Sequence, residues 1–232
     1  MDIAYQIFEY LPMRYKNEKD LGYFGLLVKS VESNYSVENY HFAFVGLHMI
    51  YMGIVYHSIY AMSQADSEQF ENVLIGHHKA LEIRDSSAVK SWDSFSRIRE
   101  STIFEFYRAV RISHEEIKKL KAPVKQRNKA LHVNEAYLIS KEEFDKRSAE
   151  YLQNLEKIQE SCSQVYEKLF FQFLRGFQIE VADVDEGKLR LEEFIADYGV
   201  SMRSLEQLAK IQEKEYPYNT KFIYNAIQDM LE

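Results

Sequence analysis

An all-α fold is what this sequence predicts, and three observations predict it. Helix breakers are scarce, with 8 glycines and 3 prolines in 232 residues. Between Gly76 and Gly176 there is no glycine, and Pro123 is the only proline. Across that stretch apolar residues recur at spacings of three and four in a background rich in Glu, Lys, Leu and Ala, which is the pattern of a helix buried along one face. The expected architecture is an antiparallel helical bundle over residues 1–178 with a small helical appendage over 179–232.

The elements follow in order. A short helix runs up to about Leu11, where Pro12 stops it. A polar stretch to Asp20 precedes a helix from about Gly22 to Asn34. Ser36 or Asn39 then opens a long apolar helix ending near Ser63. From Tyr40 to Ala65 there is no Asp, Glu, Lys or Arg, so the segment is long enough to cross a bilayer. Three histidines and four tyrosines interrupt it and no basic cluster flanks it, so a helix buried in a bundle is the expectation. Ser67 to Arg84 reads as helix, and Asp85-Ser86-Ser87 as a turn and N-cap. One long helix is then expected from there to about Lys121, with Trp92, Phe95, Ile98, Ile103, Phe106, Val110 and Ile117 on its apolar face, interrupted or kinked at Pro123. Val133 to Ile139 is a polar turn. Ser140-Lys141-Glu142-Glu143 is a capping box ahead of the stripe Phe144, Tyr151, Leu155, Ile158, Cys162, Val165, Leu169 and Phe173, and Gly176 is the natural terminator of this long helix. Asp183, Asp185, Glu186 and Gly187 read as an acidic hinge. Short helices are expected around Leu189–Asp197, Ser201–Lys214 and Asn219–Leu231.

The composition, 46% apolar and 28% charged, supports a folded core. A single cysteine, Cys162, excludes an intramolecular disulfide and a thiolate metal site, and its place on the apolar stripe makes it a small core residue. A reducing, cytoplasmic setting is expected, and Met1-Asp2-Ile3-Ala4-Tyr5 lacks the basic start of a signal peptide. A net charge of −7 argues against broad nonspecific affinity for nucleic acid. The charge is uneven, however. From Arg108 to Lys129 eight cations face two carboxylates, a net +6 that leaves −13 for the rest of the chain. Polyanion binding therefore centres on that window.

Within it lies Arg127-Asn128-Lys129-Ala130-Leu131-His132. These residue types suit metal-independent RNA cleavage, in which the ribose 2′-hydroxyl attacks the adjacent phosphorus. Histidine, titrating near neutrality, serves as base or acid. Arginine stays charged and grips phosphate oxygens where charge builds in the transition state. The products expected are a 2′,3′-cyclic phosphate and a 5′-hydroxyl. Arg127 and His132, five positions apart, differ by about 140° on a continuous helix. Either the helix ends before His132, or the site is assembled from two chains.

The run resembles the signature motif of the HEPN superfamily: an Arg, commonly a polar residue after it, and a His four to six residues further on. The flanking layout of a helix leading in and a capped helix leading out, over roughly residues 22–176, is similar too. The resemblance implies an antiparallel helical bundle and a metal-independent endoribonuclease without cofactor, of the kind found among toxins and defence effectors. It also implies a homodimer whose two motifs face one cleft, with RNA as substrate and with an antitoxin or regulatory protein as a possible partner. Arg127 and His132 would be catalytic and Asn128 would support them, with Lys121, Lys125 and Lys129 along the substrate path. One branch of the family carries a tyrosine two residues after the histidine, the group modified by a nucleotidyltransferase partner. Here that position is Asn134, with Tyr137 out of register, so that regulation does not carry over. The alternatives are a non-catalytic module binding RNA, nucleotide or a protein partner, and a purely structural role in which His132 caps a helix and Arg127 pairs with an acid such as Glu135.

Other signals are weaker. Arg108 and His114 also have the Arg-to-His spacing but fall inside the expected long helix, with Ala109 after the arginine. His41, His48 and His57 read as core or interface residues with no carboxylate beside them in sequence. His77 and His78 diverge by about 100° and cannot chelate jointly. Tyr198-Gly199-Val200-Ser201 gives the tail a helix–turn–helix flavour, but its second helix offers only Arg203 and Lys210, which speaks against DNA recognition.

Overall fold

In the computed structural model, residues 2–81, 89–131, 138–176, 183–216 and 220–231 are described, the side chains of 76–81 excepted. The uncharged run forms one helix, Tyr40–Ala65, the axis of the bundle. Its apolar surface is covered by the protein's own helices, with 83% of the most apolar window buried. The first four helices are α1 (Asp2–Phe8), α2 (Glu18–Ser36), this axial α3 (Tyr40–Ala65) and α4 (Ser67–Leu81). Next come α5 (Glu100–Ile103), α6 (His114–Leu120), α7 (Ala122–Leu131) and α8 (Lys141–Arg175). The last three are α9 (Val184–Tyr198), α10 (Met202–Leu208) and α11 (Lys221–Leu231). Among the described residues there is no strand, only an isolated bridge between Pro12 and Ser201. The all-α expectation holds.

Helices α2 and α8 lie against α3 over most of its length. Asn17 opens α2 by accepting from the Asp20 amide (2.9 Å), four residues before the expected start. Ser140 opens α8, its hydroxyl accepting from the Glu143 amide (3.3 Å), as the capping motif predicts. Along the 35 residues of α8, Phe144, Tyr151, Leu155, Ile158, Cys162, Leu169 and Leu174 are buried. Gly176 caps this helix in right-handed geometry (φ −71°), so its freedom to be left-handed is unused. Burial pushes the Cys162 thiol up to about 12, which makes it a core residue without thiolate character.

The long helix expected between Asp85 and Lys121 is not present as such. Residues 82–88 lie outside the described set, and the rest divides into a 3₁₀ turn (Trp92–Arg97), α5, a second 3₁₀ turn (Phe104–Val110) and α6. Packing explains the division. Ile103, Phe104, Phe106 and Tyr107 are all fully buried, yet positions 104 and 106 on an α-helix differ by about 200°. A straight helix would leave one of them in water, so the chain wraps between α3 and α4. Local chemistry marks the new start: Ser113 and Glu116 form a full capping box at α6. Pro123 falls in the first turn of α7, where no intrahelical N–H is required, so it restarts a helix after the break at Lys121.

The C-terminal helices share the core with the bundle: one cluster of buried side chains runs from Ala4 to Ile227. The expected division between 178 and 179 falls outside the described residues. The acidic stretch is not a hinge but a helix start, with Asp183 accepting from the Glu186 amide (2.9 Å) and Asp185 and Glu186 in the first turn of α9. Gly187 is buried because α11 crosses it; a Cβ there would stand 2.6 Å from the Phe222 carbonyl oxygen. Between α9 and α10 the expected turn is present, and Gly199 takes the left-handed conformation (φ 63°) that closes α9. A Cβ at Gly199 would also stand 2.5 Å from the His57 Nδ1. Gly199→Ala should therefore cost about 2–3 kcal/mol, strain and clash together, read as a lower urea midpoint at unchanged slope. Helix α10 packs on α8 through Leu205, Leu208 and a Ser204–Gln159 contact (3.1 Å). Its Arg203 pairs with Glu9 (2.6 Å) and Glu206 (3.2 Å).

Candidate functional site

Arg127 lies in the second half of α7, on the side turned toward α3 and α5, with 21% of its side chain exposed. Its Nη2 donates to Glu100 Oε2, and the same oxygen lies 3.2 Å from His48 Nε2. The other ring nitrogen of His48, Nδ1, lies 2.9 Å from the Tyr151 hydroxyl. Four residues from α7, α5, α3 and α8 thus form one polar chain that runs from near the surface into the core. Tyr151 ends it, stacked on Tyr51 with ring centres 4.8 Å apart.

The partners settle the protonation pattern. Burial holds the His48 pKa below its ordinary value, against the pull of Glu100. His48 is therefore neutral, its proton on Nε2 directed at the carboxylate, and Nδ1 accepts from the Tyr151 O–H. Burial pushes the Glu100 carboxyl up, but His48 and Arg127 more than offset it and hold it below the usual range. Glu100 is thus the counter-ion that orients Arg127, and the Arg127 Nε–H is buried without an acceptor. Glu100→Ala would strand both the guanidinium and the His48 N–H. A loss of about 2 kcal/mol is expected by chemical denaturation, and a smaller one for Glu100→Gln, which keeps an acceptor.

The other expected site residues are placed differently. Asn128, Lys125 and Lys129 are exposed. By helical geometry Lys125 and Lys129 lie about 160° around α7 from Arg127, and Asn128 about 100°. Within one chain the two lysines therefore do not converge on the guanidinium. Lys121 is half-buried and paired with Glu105 (3.0 Å). His132, Asn134, Glu135 and Tyr137 lie outside the described residues, and so does the turn expected from Val133.

Sequence reasoning missed the carboxylate beside His48, since Glu100 is 52 residues away in the chain. It also misplaced the second Arg–His pair. Arg108 and His114 are not in one helix: left-handed Arg111 (φ 61°) and the cap Ser113 stand between them. The turn brings the Arg108 Nη2 to 3.1 Å from His114 Nδ1 at the surface, while Arg108 Nε donates to Glu105 (2.9 Å). His57 is buried in a group of rings, stacked on Trp92 with centres 5.0 Å apart, and burial lowers its pKa to about 3. Among the described residues no three His, Cys, Asp or Glu side chains gather as a metal-ion site. Comparison with known proteins finds no family model, no curated protein and no solved structure that matches the chain.

Proposed function

We propose that this protein is a metal-independent endoribonuclease of HEPN type in which Arg127 and His132 carry the chemistry. One observation carries the reading beyond the motif itself: Arg127 is held from the core side by Glu100, which is in turn held by His48 and Tyr151. A guanidinium positioned in advance reorganises little when charge develops on a phosphorane, which is the condition for strong electrostatic stabilisation. Glu100 does so while leaving Arg127 part-exposed, in the window that carries the net +6. His132 takes the 2′-hydroxyl proton or protonates the leaving 5′-oxygen, and Asn128 binds a phosphate oxygen or steadies the histidine.

The placement of the cations supports a homodimer. Lys125 and Lys129 face away from Arg127 on their own helix, so they serve substrate bound across two copies better than substrate bound to one. Phe42 and Met49 on α3, Leu131 at the end of α7 and Leu138 before α8 are apolar and exposed, as a surface covered by a second chain would be. A toxin or defence role, with an antitoxin or regulator as partner, belongs to the same proposal.

The test is cleavage of an end-labelled RNA pool in EDTA, with wild type beside His132→Ala. Cleavage by wild type alone, leaving cyclic-phosphate ends, is the expected result; a folded wild type that cuts no RNA sinks the enzyme reading. A second reading is favoured by the same polar chain. The ion pair of Arg127 with Glu100 gives the arginine a structural purpose, as a non-catalytic RNA-, nucleotide- or partner-binding module would need. RNA affinity without turnover would select it.

A further inference from the structure

We infer that the corner formed by Arg108, Arg111 and His114, with the cleft beside it, binds one nucleotide of single-stranded RNA, phosphate on the cations and base in the cleft. This rests on the reading that RNA is the substrate and adds where the strand is held. The cleft, about 250 Å³, lies between the C-terminal end of α3, the start of α4, the second 3₁₀ turn and α8. Met62, Ala65, Val110 and Val165 give it an apolar floor, and the amides of Gln69 and Gln164 line it. A nucleobase, with apolar faces and hydrogen-bonding edges, fits such a lining, and the Arg111 guanidinium supplies a plane for it to stack on. The carboxylate there, Asp66, is matched by Lys168 at 2.7 Å and so presents little unbalanced negative charge.

The backbone points to Arg111 as the anchor. It closes the 3₁₀ turn in the left-handed conformation (φ 61°, ψ 24°), where its amide bonds to the Arg108 carbonyl (3.0 Å). Glycine fills that conformation without strain, whereas arginine carries a backbone cost. In return Arg111 lines the cleft with an exposed side chain, and among the described residues no carboxylate pairs with it. Three residues to either side, Arg108 donates to His114 Nδ1, which leaves the imidazole proton on Nε2 as a donor at the surface. Arg108, whose Nε is held by Glu105, and His114 flank Arg111 in the chain, and arginine and imidazole donors suit a phosphodiester. The corner lies at the head of the basic window, whose other end is the Arg127 motif.

The experiment uses the full chain carrying His132→Ala, so that RNA is not consumed, and a short fluorescein-labelled oligouridylate in EDTA, read by anisotropy. Adding Arg111→Gly should weaken binding about tenfold and reduce its salt dependence, while the melting temperature stays level or rises because the strain is relieved. Arg111→Lys, with the strain kept and a charge restored, should recover part of the affinity. Uridine monophosphate should compete better than inorganic phosphate. Unchanged affinity in Arg111→Gly overturns this inference and leaves the ribonuclease reading standing, and equal competition by phosphate removes the base from the cleft. Arg111-dependent binding in a wild type that never cleaves supports the inference and removes the enzyme. Absence of any RNA binding overturns both.

Discussion

Replacing His132 with alanine should lower RNA cleavage in EDTA by about 10²–10⁴-fold, the range for loss of a positioned proton donor or acceptor. Arg127→Ala should slow cleavage by a comparable factor, but for two reasons that can be separated. It removes the charge that meets the phosphorane, and it leaves Glu100 half-buried without its guanidinium. Its denaturation midpoint should therefore fall along with its activity. Arg127→Lys sharpens the distinction. A lysine restores a charge beside Glu100, and with it much of the stability, but lacks the fork that holds two phosphate oxygens, so activity should stay low. If Arg127→Lys recovers both stability and full cleavage, the arginine is a structural cation and the chemistry lies elsewhere.

Acid should destabilise this protein early, and His57 is the main reason. Its ring is buried among Trp92, Phe24 and Tyr15, and burial alone lowers its pKa from 6.5 to about 3. Above pH 6.5 both folded and unfolded chains carry it neutral, and pH makes no difference. As the pH falls through 6.5 the unfolded chain takes up a proton that the folded chain refuses, so stability falls until the folded pKa near 3 is reached. The window corresponds to a loss of up to about 4 kcal/mol. His48, its pKa also lowered by burial, adds to the loss in the same direction. Glu100, held below the usual range, contributes stability above its unfolded pKa that is lost as pH falls through the folded one. Urea midpoints measured between pH 7 and pH 4 should decline steadily, and His57→Leu should flatten the decline whatever its own starting stability. An unaltered slope in that variant would show that the burial of His57 does not control the response.

Both predictions turn on histidines, and the histidines differ in how far the sequence distinguishes them. His132 stands out because a polar residue and an arginine precede it at a spacing with chemical meaning. His48 and His57 look the same in sequence, two members of an apolar helix nine residues apart. Their difference comes from what packs on them: a carboxylate and a phenol for one, aromatic rings and the bare Cα of Gly199 for the other.

Features that depend on near neighbours are written in the sequence. The all-α class follows from scarce breakers and three-four periodicity. The burial of α3 follows from 26 residues without a charge, and the start of α8 from Ser140 and the residues just after it. Caps and amphipathic faces are set within a turn or two, so they can be read locally. Packing in three dimensions set the rest. It divided the helix expected over 85–121, because the apolar residues Ile103, Phe104, Phe106 and Tyr107 had to reach two different neighbours. It turned the acidic stretch at 183–187 into a helix start pressed against α11. It also joined Arg127 to Glu100, His48 and Tyr151 across separations of 27, 52 and 103 residues. Partners that far apart meet because burial forces each buried polar group to find a match in three dimensions, and no local pattern encodes which group will be there.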